Sequence, residues 1–297
     1  MPERLFIRLP EDPSCAPETT VPANTLTAFA VPARLRSAVA HVMAYEERFA
    51  QGHETVERVL PDGASRLLIV LQRGAATVHV AGARADAVLL TMGGHVHGLS
   101  VTLNPGALPA LFGVAAKELA GLTVPWEDIV LRAHRHLAEQ LAASDDDAAR
   151  VRHLLASLQA LQRPSDPSRH LVEHAARRLS DTGGGLSVRE LAAELHIGER
   201  RVQQLFAANI GLTPGVWRRL QRLHGTLRLL RTAQTGQTVQ MAQMAASPRW
   251  AEMAVAAGYY DQSHLINEFR SLCGLTPQQF LQRAVSGSSN TGTGRLT

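Results

Sequence analysis

Between residues 66 and 103 the chain alternates short apolar runs with glycine punctuation. Stretches rich in Val, Leu and Ile fill 66–71, 76–80 and 87–91, and Gly74, Gly82 and the Gly93-Gly94 pair separate them, which predicts strands joined by turns. Val96-x-Gly98-x-Ser100-Val101-Thr102-Leu103 ahead of Asn104-Pro105-Gly106 predicts a further strand ending in a turn. Earlier, Leu35, Val39, Val42, Met43 and Phe49 recur at helix-like spacing over 33–49, predicting a helix with a broken strand as the alternative. Pro2, Pro10, Pro13, Pro17 and Pro22 crowd the first 25 residues without a sustained period, so an extended arm is expected there.

Past Pro109 the period lengthens. Leu108, Leu111, Phe112, Ala115 and Leu119 share one helical side, and 129–141 and 151–161 carry the same spacing. The last two are expected to form a hairpin around Ser144-Asp145-Asp146-Asp147. Their apolar faces could pair with copies in a second subunit, but packing onto the chain's own sheet is the commoner outcome. Pro164-Ser-Asp-Pro167 breaks the pattern and sets a boundary. The expected organisation is a β-rich domain over 1–163, an all-helical domain over 164–285 and a disordered tail over 286–297.

The helical part repeats itself. At an offset of 63, Phe206, Gly211, Leu212, Thr213 and Pro214 superpose on Phe269, Gly274, Leu275, Thr276 and Pro277. Core-facing positions mostly follow, with Leu191 on Ala254, Val202 on Leu265 and, less comfortably, Leu205 on Glu268. In the first copy Ser187-Val-Arg-Glu190 is a capping box, His196-Ile197-Gly198 a turn, Gly211 a helix stop, and Thr213-Pro214 the start of a long helix to about Arg231. Ser247-Pro248, Tyr259-Tyr260-Asp261, Gly274 and Thr276-Pro277 repeat these signals. Helix, three-residue turn, helix is the arrangement that sets its second helix in the DNA major groove.

Composition and charge narrow the class. The chain has 297 residues, 45% hydrophobic and 19% charged, enough for a sizeable core. No apolar run approaches the ~20 residues of a membrane span, and two distant cysteines, Cys15 and Cys273, with no signal-like opening, lead to the expectation of a reducing cytoplasm. Residues 1–163 carry 15 basic against 17 acidic side chains, whereas 164–297 carry 15 against 9, a basic half of the kind that meets a polyanion.

With these residues in view, the sequence resembles the AraC/XylS family of bacterial transcription regulators. Leu191-Ala192-Ala193, Val202-Gln-Gln-Leu205-Phe206 through Gly211-Leu-Thr-Pro214, Ala254 through His264, and Phe269 through Gly274-Leu-Thr-Pro277 carry the resemblance over about 170–284. It implies seven helices, with a long connecting helix holding two recognition helices in adjacent major grooves. The stretch 232–246 departs from the family's short link. Leu60-Pro61-Asp62-Gly63 and Leu103-Asn-Pro-Gly106-Ala107 resemble the family's N-terminal sensor domains, which implies a jelly-roll-like barrel for effector sensing or dimerisation. The fold class expected is thus α+β, a β-rich jelly-roll-like domain with helices followed by two helix-turn-helix units.

Burying Val202, Leu205 and Phe206 turns Arg200, Gln203 and Gln204 outward with Arg201 at the flank, and burying Leu265 and Phe269 does the same for Gln262, Ser263, His264 and Asn267. Arg can fork onto guanine and Gln onto adenine, at roughly 1–3 kcal/mol of discrimination per good pair. Arg218, Arg219, Arg222 and Arg249, with the helix starts at Ser187 and Ser247, are candidate phosphate contacts; Trp217, Trp250 and Phe280 are expected in the core. Expected partners are double-stranded DNA, RNA polymerase, a small-molecule or protein effector and a second copy of the chain, with no membrane and no cofactor; activation and repression both stay open. A rival class, a metal-dependent barrel enzyme or metal sensor, rests on His95-Val-His97 with His53 and His79, since His-x-His on a strand aims both rings to one side; the site expectation is nonetheless no metal and no catalytic residue. Glu46-Glu47 and Asp145 to Asp147 are expected to be solvated.

Overall fold

A computed structural model describes residues 3–6, 22–164, 166–235 and 250–288. Its N-terminal part holds nine strands in two sheets. Strands β1 (Glu3–Phe6), β2 (Leu26–Phe29), β3 (Val39–Arg48), β4 (Glu54–Val59), β5 (Arg66–Gln72), β6 (Ala75–Ala81), β7 (Val88–Gly93), β8 (His95–Leu103) and β9 (Thr123–Pro125) make a six-stranded antiparallel sheet of order β2-β3-β8-β5-β6-β9 and a three-stranded sheet β1-β4-β7. The glycine-punctuated runs are β5 to β8, as the spacing predicts. In β5 the period-two pattern buries Leu67, Ile69 and Leu71, and Gly74, at φ +71°, closes its hairpin with β6.

Two expectations at the start of the chain are corrected. The opening segment is not wholly an extended arm, because Glu3–Phe6 pairs in parallel with β4; residues 7–21, including Cys15, lie outside the described residues. The stretch 33–49 is a single 3-10 turn, Ala33–Leu35, followed by β3. Val39, Val42, Met43 and Ala44 are buried together on β3, a pattern that contact on both faces of a strand produces and that periodicity cannot separate from a buried helix.

Helices α1 (Ala107–Phe112), α2 (Ala116–Leu119), α3 (Trp126–Ile129), α4 (Leu137–Ala142) and α5 (Asp147–Leu161) complete this domain. The predicted helix over 129–141 is broken: α3 stops at Ile129, Leu131 is extended, and a 3-10 turn precedes α4. The break is stitched by the buried Trp126, whose indole N–H donates to the His134 carbonyl at 2.7 Å. Asp146 caps α5 by accepting from the Ala149 amide. Leu137, Leu141, Leu154 and Leu158 are buried in one cluster with Leu67, Ile69 and Val80 of the sheet, so α4 and α5 cover their own sheet.

The C-terminal part comprises α6 (Pro167–Asp181), α7 (Val188–Glu194), α8 (Glu199–Asn209), α9 (Pro214–Thr235), α10 (Trp250–Ala256), α11 (Gln262–Cys273) and α12 (Pro277–Ser288). Helix α12 carries 286–288, which the sequence assigned to the tail; 289–297 and 236–249, with most of the long link and Ser247-Pro248, are outside the described residues. The two parts share a core. Leu5 of β1 and Leu60 pack with Leu220, Leu223 and Leu227 of α9, Phe269 and Leu272 of α11 and Phe280 of α12. Glu3 accepts from both Arg58 and Arg283, and the amide of Gly106 donates to the carbonyl of Asn209 at 3.2 Å.

Candidate nucleic-acid interface

Each helical unit is assembled by the signals its sequence carries. Ser187 Oγ accepts from the Glu190 amide at 3.1 Å while the Glu190 carboxylate accepts from the Ser187 amide at 2.8 Å, which starts α7 and holds the Glu190 carboxyl below its usual range. Leu191, Val202, Leu205 and Phe206 bury one side of the α7–α8 pair against α6 and Trp217. Gly211 follows α8 at φ +88°. In the second unit Asp261 caps α11 by accepting from the His264 amide at 2.7 Å, and Gly274 ends it at φ +70°. Thr276 and Gln279 reciprocate as Ser187 and Glu190 do.

The offset of 63 holds for α8 and α11 but slips in the turns. Gly198 and Asp261 are the equivalent N-caps, yet the residue with positive φ is His196 in one copy and Gly258 in the other, one position earlier in the repeat.

Burying these stripes leaves Arg200, Arg201, Gln203 and Gln204 exposed on the first half of α8, and Gln262, Ser263, His264 and Asn267 exposed on α11. Three of the four on α11 carry no hydrogen bond from their side chains among the described residues. His264 differs: its Nδ1 accepts from the Tyr260 amide at 3.3 Å, its ring sits edge-on to Tyr259, and Nε2 is 3.7 Å from Glu268.

The candidate phosphate contacts divide. Arg222 is buried and forks onto Glu268 at 3.0 and 2.8 Å, and Arg219 donates to the same carboxylate at 3.1 Å and to Ser271. Together they clamp α9 to α11, and the burial of Arg222 corrects its reading as a phosphate contact. Glu268, at the repeat position held by Leu205, is only 7% exposed, and the two guanidiniums compensate the charge where leucine would otherwise pack. Arg218 is half-buried and donates from Nε to the Gly184 carbonyl at 3.1 Å; burial lowers its pKa, as does the neighbouring Arg222. Arg249 lies outside the described residues. Sequence reasoning missed the clamp, whose signal was an acid in the core phase of α11 facing two arginines three residues apart.

His95 and His97 do share one side of β8, with rings 6.0 Å apart, but each has its own carboxylate. His95 Nε2 is 2.9 Å from Glu46, and His97 Nε2 is 3.0 Å from Asp147. The hydrogen bond from His95 is the main reason the Glu46 carboxyl lies below its usual range. Glu47 takes a two-pronged contact from Arg4. Glu46, Glu47 and Asp147 are therefore paired rather than simply solvated, and the described residues hold no group of three or more side chains suited to a metal.

A model of a helix-turn-helix domain, of AraC type, matches residues 191–283. The second half of the chain thus carries a helix-turn-helix domain of AraC type. A second model, a domain of unknown function designated DUF6597, matches 28–125, spanning most of the six-stranded sheet. No curated protein matches. Solved structures similar to this chain include ToxT from Vibrio cholerae in its P21 form, 8% identical with TM-score 0.40 over 82% of this chain and 98% of that one. ToxT from Vibrio cholerae O395 is 8% identical with TM-score 0.41 over 85% and 99%. The same protein bound to (E)-4-(8-methylnaphthalen-1-yl)but-3-enoic acid is 7% identical with TM-score 0.41 over 82% and 99%. The AraC-type domain makes the chain a DNA-binding transcription regulator. No helix among the described residues is long and apolar enough to cross a membrane.

Proposed function

We propose that α8 and α11 read base edges in successive turns of the major groove, through Arg200, Arg201, Gln203 and Gln204 on the first and Gln262, Ser263 and Asn267 on the second. The observation that carries this is the pair of exposed polar edges opposite two buried stripes on helices of one repeat. His264 acts mainly as a brace, because its ring already serves the Tyr260 amide, and adds a base contact only from its outer edge. Arg218 contributes to DNA binding through the Gly184 loop it holds more than through a phosphate. The regulator works in the cytoplasm as a homodimer through its N-terminal domain, where β7 presents Leu89 and Leu90 at a sheet edge while the faces of α4 and α5 are already covered. An effector acts by shifting the seating of the helical domain on the β-rich one.

The test is the affinity of the full-length protein for duplex DNA over a range of salt. Its logarithm should fall steeply and linearly with the logarithm of salt concentration, as phosphate neutralisation requires. A flat dependence would remove the phosphate contacts and the reading with them.

A further inference from the structure

We propose that the β-rich domain fixes the distance between the two DNA-reading helices, by gripping the C-terminal end of each from a different part of its sandwich. The two helical units build separate cores. Leu191, Val202 and Phe206 of the first pack with α6, whereas Ala254, Tyr259 and Leu265 of the second form a cluster of their own. The long helix α9 is the element they share, meeting the first unit through Trp217 and the second through Leu223 and Leu227. A single shared helix resists twisting of one unit against the other only as far as its side-chain packing allows, so a second bridge decides how rigidly the two reading edges are phased.

The β-rich domain supplies that bridge. Carbonyls in the last turn of a helix have no partner within it. At the end of α8 the Asn209 carbonyl accepts from the Gly106 amide at 3.2 Å, and at the end of α11 the Leu272 carbonyl accepts from the Ala87 amide at 2.9 Å. The Cys273 carbonyl accepts from Arg58 Nη1 at 2.9 Å, a cation where the helix dipole favours one. The glycine that follows each helix lets the other domain come closer than a side chain would permit. A Cβ on Gly211 would lie 2.8 Å from the Ala116 carbonyl oxygen, and one on Gly274 would lie 2.8 Å from Arg58 Nη1. Both reading helices are thus held by the same device at the same end, which leaves the polar edges of their first halves exposed.

The two grips come from different sheets. Arg58 lies on β4 and Ala87 directly precedes β7, both of the three-stranded sheet, whereas Gly106 follows β8 of the six-stranded sheet and Ala116 begins α2. The sandwich therefore acts as a spacer between the ends of α8 and α11. Inserting one base pair between the two motifs moves the second by about 3.4 Å along the duplex and turns it by about 35°. Readers seated at a fixed separation cannot follow that change, while readers joined only through α9 follow it part of the way. Arg58 and Ala87 are positioning residues in this account, acting on DNA through α11. The inference rests on the reading of α8 and α11 as the helices that enter the major groove.

The experiment selects duplexes with the full-length protein, then measures its affinity for the selected pair of motifs at their own spacing and with one base pair inserted or removed between them. Wild type should lose about tenfold or more in affinity for either change. Arg58→Ala and Ala87→Pro each remove one donor to the end of α11, since proline has no N–H. Both should bind the selected duplex within about threefold of wild type and lose only about threefold when the spacing changes. Arg135→Ala, at an exposed arginine elsewhere on the β-rich part, should keep the wild-type penalty. A variant that is merely less stable would lose affinity on every duplex alike and keep the full spacing penalty. That result in both variants, or a wild type indifferent to spacing, would overturn the grip while leaving motif-specific reading in place. A wild type with no sequence preference at all would instead remove the reading of α8 and α11, and the proposal with it.

Discussion

His196 is the one described residue other than glycine with positive φ, at 54°, and it sits in the turn that sets the angle between α7 and α8. A side chain in the left-handed region costs roughly 1–2 kcal/mol, and glycine's extra freedom in the unfolded chain takes back roughly 0.5–1. His196→Gly should therefore stabilise the protein by about 0.5–1 kcal/mol in denaturant unfolding; a loss of stability would mean the imidazole holds the turn. Glu57 offers a test with a definite pH sign. Burial raises its pKa above 4.5, against the pull of Arg4 and with the push of Glu47. An acid whose folded-state pKa is raised ionises first in the unfolded chain, so it weakens the fold as pH climbs past its ordinary value. Glu57→Gln should raise the melting temperature near neutral pH, and the gain should vanish at about pH 3.5, where both states hold the proton. A gain that persisted in acid would show the effect is not ionisation. Residues of this kind were hidden from the sequence, because φ at His196 and the burial of Glu57 depend on what packs around them.

At the level of elements, the helical half was legible because its ends are written in local chemistry. Ser187 with Glu190, Asp261, Gly211 and Gly274 act within a few residues of where they stand, and each is found in the role its position implies. The stretch 33–49 was misread because β3 is enclosed on both sides and loses the alternation that marks a strand. The 129–141 helix failed for another reason: the indole of Trp126 and the turn before α4 override a pattern that was apolar enough for a helix. Helices α9 and α11 are joined by Arg219, Arg222 and Glu268, a contact that requires knowing the fold. Removing the carboxylate leaves the buried Arg222 without a counter-charge, so Glu268→Ala should cost about 3–5 kcal/mol in chemical denaturation. Glu268→Leu, restoring the residue type of the other copy, should cost less only when Arg222 is also made apolar. Equal stability of Glu268→Ala and wild type would show the clamp to be ornamental.

Across the whole molecule, the two domains are less separable than the break at Pro164 to Pro167 implies. Leu5, near the start of the chain, is fully buried among residues of α9, α11 and α12, and Glu3 reaches both Arg58 and Arg283. Sequence patterns locate boundaries by composition, and a four-residue strand that crosses to the other domain leaves no compositional trace. That seam is where a signal on the β-rich part would reach the DNA-reading helices, and the exposed edges of those helices are what the account depends on. They are tested most directly by selecting bound duplexes from a random pool with the full-length protein and with the Arg200→Ala, Gln203→Ala double variant. The wild type should enrich two short motifs about one helical turn, roughly 10 base pairs, apart, and the variant should lose base preference within one motif while keeping the other. Enrichment of no motif, or an identical pair of motifs from both proteins, would contradict the assignment of α8 as a reading helix.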